Sequence, residues 1–192
     1  ELFGVDHPGS LGYVLQNLAL FPHLTVEDNV QYGLAKLSRS ERQERTLRVL
    51  ESFRIAHLRK RKPREISGGE SQRVALARAL ASEPACLLVD EMSLGLAPLI
   101  VQQLLPVVRR VALERGVGVL IVEQHVHLAL SIADRAYVLA HGRVALEGPA
   151  DELRELSVRL SEAGSDLHRF VSSLEADPER MEAVEARLDL IA

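Results

Sequence analysis

After Pro84, four apolar residues run straight into two acids, Cys86-Leu87-Leu88-Val89-Asp90-Glu91, and this short stretch limits the folds open to the chain more than any other. An apolar run bounded by a proline on one side and by charge on the other reads as a buried strand. A helical pattern follows from about Leu99 to Glu114, then a β-rich run from Val117 to Val122 and a helix through His127 to Ile132. Ala136 to Leu139 and Arg143 to Leu146 flank the His141-Gly142 turn as a hairpin. Strands alternating with helices imply an α/β fold with a mostly parallel sheet. In such a sheet Asp90 and Glu91 emerge at the carboxyl edge, where open α/β folds place their ligands. An acidic pair in a surface turn is the plainer reading, and the apolar run before it argues against that.

Upstream, Ile66-Ser67-Gly68-Gly69-Glu70-Ser71-Gln72-Arg73 opens a helix that continues through Val74, Leu76, Ala77 and Leu80 to about Ser82. A helix N-terminus offers unsatisfied amides and about half a positive charge, and glycines let an anion approach the backbone. Alone, Ser-Gly-Gly signals no more than a helix cap. Joined to Arg73-Val74-Ala75-Leu76-Ala77-Arg78-Ala79-Leu80 and to the acid pair seventeen residues beyond Arg73, it points to phosphoanhydride chemistry. Asp90 is expected to hold Mg²⁺ through water, and Glu91 to polarise an attacking water. Such chemistry calls for an upstream loop of the form G-x-x-x-x-G-K-[ST]. The chain has three lysines, Lys36, Lys60 and Lys62, and none follows a glycine. Because it begins at Glu1 without a methionine, signal or transit peptide, the expectation is a segment of a longer protein, truncated before this point.

Composition enters as a set of exclusions. With 192 residues, 47% hydrophobic and 26% charged, the chain has room for one core and an appendage. No apolar stretch approaches the ~20 residues that span a bilayer, so membrane association is expected through a partner rather than by insertion. The lone Cys86 excludes a disulfide framework and is expected to be a buried small hydrophobe in a reducing compartment. Between Lys36 and Glu65 stand eleven Lys/Arg against four Glu, a local charge of +7. Much of it lies on Arg39, Arg42, Arg45 and Arg48, spaced by three with Glu41 and Glu44 between, which reads as a solvated helix face rather than a nucleic-acid surface. His125-Val126-His127 lacks a companion ligand cluster for a metal site.

The flanking segments complete the outline. Leu11 to Leu15 reads as a strand ending at Gln16, and Thr25 with Asp28 as a helix start. A helical insertion follows to Leu58, with apolar positions at Leu47, Leu50 and Ile55 and a break near Ser38 to Ser40. Pro63 ends it. Towards the C-terminus Leu153, Leu160, Leu167, Leu174, Met181 and Leu188 recur every seven residues, with Leu156, Ala163, Phe170, Val184 and Ile191 as a second seam. Gly164-Ser165 and Asp177-Pro178 are expected to interrupt it. Helices sharing one apolar face are predicted, packed on the body of the protein or on a second chain, with ordinary core-covering amphipathic helices as the simpler form.

Together these motifs resemble the nucleotide-binding domain of ABC transporters over about residues 11 to 152. The resemblance rests on Gly12-Tyr13-Val14-Leu15-Gln16, Leu20-Phe21-Pro22-His23-Leu24-Thr25-Val26 with Asn29-Val30, Ser67 to Glu70, Cys86 to Asp90, and Ala133-Asp134-Arg135 leading to Gly142. Ser93-Leu94-Gly95-Leu96-Ala97-Pro98 and Val122-Glu123-Gln124-His125 are similar to ATPase subunits of branched-chain amino acid importers, whereas the earlier half is closer to polyamine or metal-ion importers. The resemblance implies an ABC-type P-loop NTPase core without its first strands and phosphate loop, a helical subdomain at about 25–82, and a helical extension at 153–192. It implies ATP and Mg²⁺ as cofactors, with Gln16 and Asp90 at the metal and Ser67, Gly68, Gly69 and Glu70 completing the ATP site of an opposite protomer. Glu91 would be the catalytic acid, and Gln124 would fill the slot of the switch histidine, leaving His125 one residue late. A second nucleotide-binding domain and a membrane permease are the implied partners, at the inner face of the cell membrane in the cytoplasm. Glu70 stands where the motif usually has glutamine, Met92 where proline is usual and Ala97 where the following loop usually has aspartate.

The last segment is similar to something else. Asp166-Leu167-His168-Arg169-Phe170, Leu174-Glu175-Ala176-Asp177-Pro178-Glu179-Arg180 and Glu185-Ala186-Arg187-Leu188 resemble the coiled-coil arm of the recombination protein N family of SMC-like DNA-repair ATPases. The expected function is therefore the ATP-hydrolysing subunit of an importer of amino acids or similar solutes. A fragment of a DNA-repair ATPase and a non-catalytic interaction module are the alternatives.

Overall fold

Three parallel strands set the frame on which everything else hangs. In the computed structural model, which describes residues 11–91, 93, 98–173 and 187, the order is β1 (Leu11–Val14), β2 (Cys86–Asp90), β3 (Gly118–Val122), with β2 in the middle. Leu11 pairs with Cys86 and Val14 with Val89, while Cys86 pairs with Gly118 and Asp90 with Val122. All three carboxyl ends therefore reach the same edge. The burial of Leu87 and Val89 alternates with half-buried Cys86, Leu88 and Asp90 along β2, so Cys86 lies on the less covered face and not in the core as expected. Leu11, Tyr13, Leu120 and Val122 on the two outer strands are exposed.

The helices of the insertion start where side chains can cap them. Thr25 Oγ1 accepts the Asp28 N–H at 3.1 Å and opens α1 (Val26–Gln31). Ser38 and Glu41 form a reciprocal capping box at the head of α2 (Arg39–Ser52), and Ser67 and Glu70 form another at α3 (Gly68–Ala81). The inward stripe of α2 is Thr46, Val49, Leu50 and Phe53, all buried. Leu47 lies one residue off that stripe and is 40% exposed. Arg42 and Arg45 are half-buried, Arg45 pairing with Glu83 at 3.1 Å, so only part of that face is freely solvated.

One cluster of buried residues joins the insertion to the sheet: Val26, Val30, Val49, Leu50, Phe53 and Ile55 share it with Val74, Leu76 and Leu80 of α3 and with Val14, Leu87 and Val89. From α4 (Pro98–Arg115), Leu104, Leu105, Val108 and Val111 complete it, and α5 (Val126–Ile132) contributes Leu128 and Ile132 at the margin. Burying a Leu or Phe side chain contributes about 1.5–3 kcal/mol, so this cluster is the main source of stability for the segment.

The chain divides into two compact units, residues 1–133 and 134–192. In the second, β4 (Arg135–Ala140) and β5 (Arg143–Pro149) pair antiparallel as a two-stranded sheet of their own, with Gly142 at φ +73° in the turn. The helix α6 (Ala150–Ser173) follows directly. The expected interruption at Gly164-Ser165 does not occur. Ser165 Oγ donates back to the Ser161 carbonyl at 2.9 Å, and one interior glycine costs a long helix only about 1 kcal/mol. Leu156, Leu160, Leu167 and Phe170 on its apolar seam are exposed, while Leu153 is half-buried. The expected break at Asp177-Pro178 and the heptads from Leu174 onward lie outside the described residues.

A single buried amide organises the loop that leads into the insertion. Asn29 is fully buried; its Oδ1 accepts the Phe21 N–H at 2.8 Å, and its Nδ2 donates to the carbonyls of Phe21, Leu24 and Thr25 at 3.1, 3.3 and 2.9 Å. Asn29→Leu keeps the number and branching of heavy atoms but orphans these groups, and each buried unpaired polar group costs about 1–3 kcal/mol. The expected loss is about 2 kcal/mol or more by urea denaturation monitored by circular dichroism.

Candidate functional site

Where the three strands end, three side chains meet. Gln16 follows β1, Glu91 follows β2 and Gln124 follows β3. Gln16 Nε2 donates to one oxygen of the Glu91 carboxylate at 2.8 Å, and Gln124 Nε2 donates to the other, also at 2.8 Å. The parallel register dictates this meeting, because it puts residues just past Val14, Asp90 and Val122 at one edge. Glu91 adopts a left-handed backbone, φ +45°, uncommon for a residue with a side chain. Its N–H donates to the Val122 carbonyl at 2.9 Å, which extends the β2–β3 pairing by one bond.

Asp90 is the last residue of the central strand and is half-buried. Its carboxylate receives no hydrogen bond from the described residues. Gln16 spends its amide nitrogen on Glu91, which leaves the amide oxygen available. One carboxylate and one carbonyl-type oxygen, both hard donors, fit Mg²⁺, which keeps waters and substrate oxygens in its shell instead of requiring a full protein cage. Among the described residues no group of three or more His, Cys, Asp or Glu is placed to hold a metal by itself. No G-x-x-x-x-G-K-[ST] run occurs in the 192 residues.

A second cluster, without a hydrogen bond to the first among the described residues, lies at the head of α3. Ser67 and Gly68 are exposed there, with Gly69 and Glu70 half-buried. Glu70 Oε2 accepts the Ser67 N–H at 2.7 Å and the Ser67 hydroxyl at 2.8 Å, while Ser67 Oγ accepts the Glu70 N–H at 3.3 Å. The Glu70 charge is thus folded back onto the cap, and it engages the Ser67 hydroxyl proton. Backbone and side-chain hydrogen bonds from Ser67 hold the Glu70 carboxyl below the usual carboxylate range, with His57 and Arg73 adding to the effect. Gly69 has a packing role as well. A Cβ there would come within 2.8 Å of Ile100 Cγ2 on α4, too close for either to stay in place.

Three residues that the sequence reading did not single out hold these parts together. Arg78 on α3 donates to the carbonyls of Ala19 and Leu18 at 2.6 and 2.8 Å and sits 5.6 Å over the Phe21 ring. Leu18 and Ala19 are left-handed, φ +59° and +42°, so the guanidinium clamps a strained turn two residues past Gln16. Burial lowers the Arg78 pKa from its ordinary value. The other two are Glu123 and Ser93: the Glu123 carboxylate accepts the Ser93 N–H at 2.8 Å and the Ser93 hydroxyl at 2.6 Å. Arg78 stood inside a recognised run, and Glu123 beside Gln124, yet neither contact has a local sequence signal.

The depressed Glu70 pKa fixes the sign of an acid effect. Its stabilisation is present above the unfolded carboxyl pKa, 4.5, and is lost as pH falls through the lower folded value. In urea titrations between about pH 5.5 and 3, the chain is expected to lose more stability than its Glu70→Gln variant. Parallel curves would show that the Ser67–Glu70 contact contributes nothing.

Comparison with known proteins was consistent with this geometry. Residues 5–93 match the family model described as ABC transporter. The chain is 40% identical over 181 residues to the molybdenum import ATP-binding protein ModC of Albidiferax ferrireducens, covering 92% of this chain and 49% of the relative. It is 41% identical over 138 residues to the high-affinity branched-chain amino acid transport ATP-binding protein BraG of Pseudomonas aeruginosa, covering 71% and 59%. The solved structure of cbiO1 from Clostridium perfringens, part of the ABC transporter complex cbiONQ, superposes with a TM-score of 0.73 at 28% identity, covering 83% of this chain and 68% of that one. The chain spans about half the length of the curated relatives it matches. The chain thus has the α/β fold of ABC cassettes, and its residues 5–93 are similar in sequence to the ABC transporter family.

Proposed function

We propose that this segment supplies the catalytic carboxylate, the Mg²⁺ ligands and the signature face of an ATP-binding subunit that drives import of a small solute. The bracket of Gln16 and Gln124 on Glu91 carries the reading. Two amide donors fix both oxygens of the carboxylate, so that it presents a defined edge to a water molecule. Glu91 takes the proton of that water as it attacks, the work of a general base, worth typically ~10²–10⁴ in rate. Gln124 and Gln16 hold Glu91 in place; they do not themselves need to exchange a proton. Asp90 and the Gln16 amide oxygen would hold Mg²⁺, which when bound offsets the negative charge of the phosphates.

Ser67, Gly68 and Gly69 stand at the head of α3, and we assign them to the nucleotide of a second nucleotide-binding domain. A permease subunit is the other proposed partner, contacted through the Gln16 turn that Arg78 pins. The same reading places the protein in the cytoplasm, peripheral on the inner face of the membrane; no described helix is long and apolar enough to cross one. Amino acids and molybdenum are each named among the relatives' cargoes, and the cargo is set by the permease. The proposed organisation is an ATPase segment, 1–152, followed by a helical extension, 153–192, whose exposed seam at Leu156, Leu160, Leu167 and Phe170 supports a coiled-coil reading.

The test joins the chain behind the phosphate-loop half of a molybdenum-import relative. This chimera is expected to hydrolyse ATP, and Glu91→Gln to lower kcat by about 100-fold or more with ATP binding retained. The 192 residues alone are expected to show negligible turnover. Glu91-independent hydrolysis by the chimera, or Glu91-dependent hydrolysis by the chain alone, would contradict the proposal.

A further inference from the structure

The turn that carries Glu91 is tied to the end of β3 at three successive residues. The Val122 carbonyl receives the Glu91 N–H, the Glu123 carboxylate receives the N–H and hydroxyl of Ser93, and the Gln124 amide reaches the Glu91 side chain. Ser93 is only 7% exposed, and both oxygens of Glu123 are engaged by it. A carboxylate with both oxygens turned onto one buried residue is committed to holding structure in place. What it holds is the chain two residues past Glu91, whose left-handed backbone is disfavoured for any residue with a Cβ. Such a conformation persists only where its surroundings over-determine it. Below Glu91 the sheet does this through Val122; beyond it, the Glu123–Ser93 contact does.

We propose that Glu123 is a positioning residue, whose clamp on Ser93 keeps Glu91 in the backbone conformation that lets its carboxylate meet Gln16 and Gln124 together. The inference rests on the reading of Glu91 as the catalytic carboxylate, and it adds a residue that acts on the reaction only through Glu91. A charged acceptor suits the task, because hydrogen bonds to a carboxylate are shorter and stronger than those to a neutral oxygen. If the clamp opens, the turn relaxes towards ordinary backbone, the carboxylate swings, and one or both glutamines lose their acceptor. The buried cluster beneath is untouched, so the segment is expected to stay folded.

The side-chain amides of Gln16 and Gln124 give a readout that a merely stabilising contact would not move. In ¹⁵N-labelled chain of the full 192 residues, Glu91→Ala removes the shared acceptor and marks the two amide resonances by their shift. Ser93→Ala and Glu123→Ala are expected to move both resonances towards the Glu91→Ala positions. Their exchange with solvent should quicken on the order of threefold or more, as expected for one lost hydrogen bond, while the backbone amides of α3 stay in place. Ser93→Thr, which keeps the hydroxyl, is expected to retain the original positions. If Glu123→Ala does not fold, Glu123→Gln and Ser93→Ala carry the test. Unchanged Gln16 and Gln124 resonances in a folded Ser93→Ala variant would overturn the proposal. This measurement needs no nucleotide, so the clamp can fail while Glu91 remains essential for turnover in the chimera, and it can hold while Glu91 proves dispensable there.

Discussion

The pairing of three parallel strands in one register is the constraint on which the rest of this structure depends. Because Leu11 stands opposite Cys86 and Cys86 opposite Gly118, three strand ends that are distant in sequence finish level with one another. A slip of one residue in either pair would turn every side chain to the opposite face and carry Gln16 or Gln124 away from Glu91. The buried cluster enforces the register, since Val14, Leu87 and Val89 must all face the packed insertion. The meeting of Gln16, Glu91 and Gln124 is a consequence of this packing.

Around that frame, charge is used locally and sparingly. Glu70 closes on Ser67, Glu41 on Ser38 and Glu123 on Ser93, in each case a carboxylate taking a serine N–H, so that orphan donors at helix starts and turns are satisfied. Under the proposed function, a phosphate approaching the head of α3 would meet a Ser67 hydroxyl whose proton Glu70 already engages, and the two acceptors would compete for it. Arg78 links the two clusters mechanically: it stands on the helix that Ser67 caps and grips the turn that follows Gln16.

Much of this was legible in the residues themselves. The strand ending in Asp90-Glu91, the helix opened by Ser67, the Thr25 cap, the break at Ser38 and the hairpin at His141-Gly142 all carry short-range signals, and the structure has each where the pattern put it. Departures come from interactions that no local pattern encodes. The Arg78 grip needs two left-handed residues, Leu18 and Ala19, fifty-nine or sixty positions away. The Glu123–Ser93 contact spans thirty positions. Cys86 looked buried because its neighbours are apolar, but strand alternation turns it to the half-covered face. Gly164-Ser165 looked like a break, and a long helix with a back-bonding serine runs through it. Leu47 is apolar yet exposed, because the buried stripe of α2 passes one position before it.

The central claim is that Gln16 and Gln124 act through the same carboxylate. A double-mutant cycle on kcat in the phosphate-loop chimera measures this directly, using Gln16→Ala, Gln124→Ala and the pair. Side chains that share one partner are energetically coupled, and the account predicts that the combined loss departs from the product of the single losses by an interaction energy of about 0.5 kcal/mol or more. Losses that simply multiply would show that the two glutamines act independently, and would contradict a site organised by their common hold on Glu91.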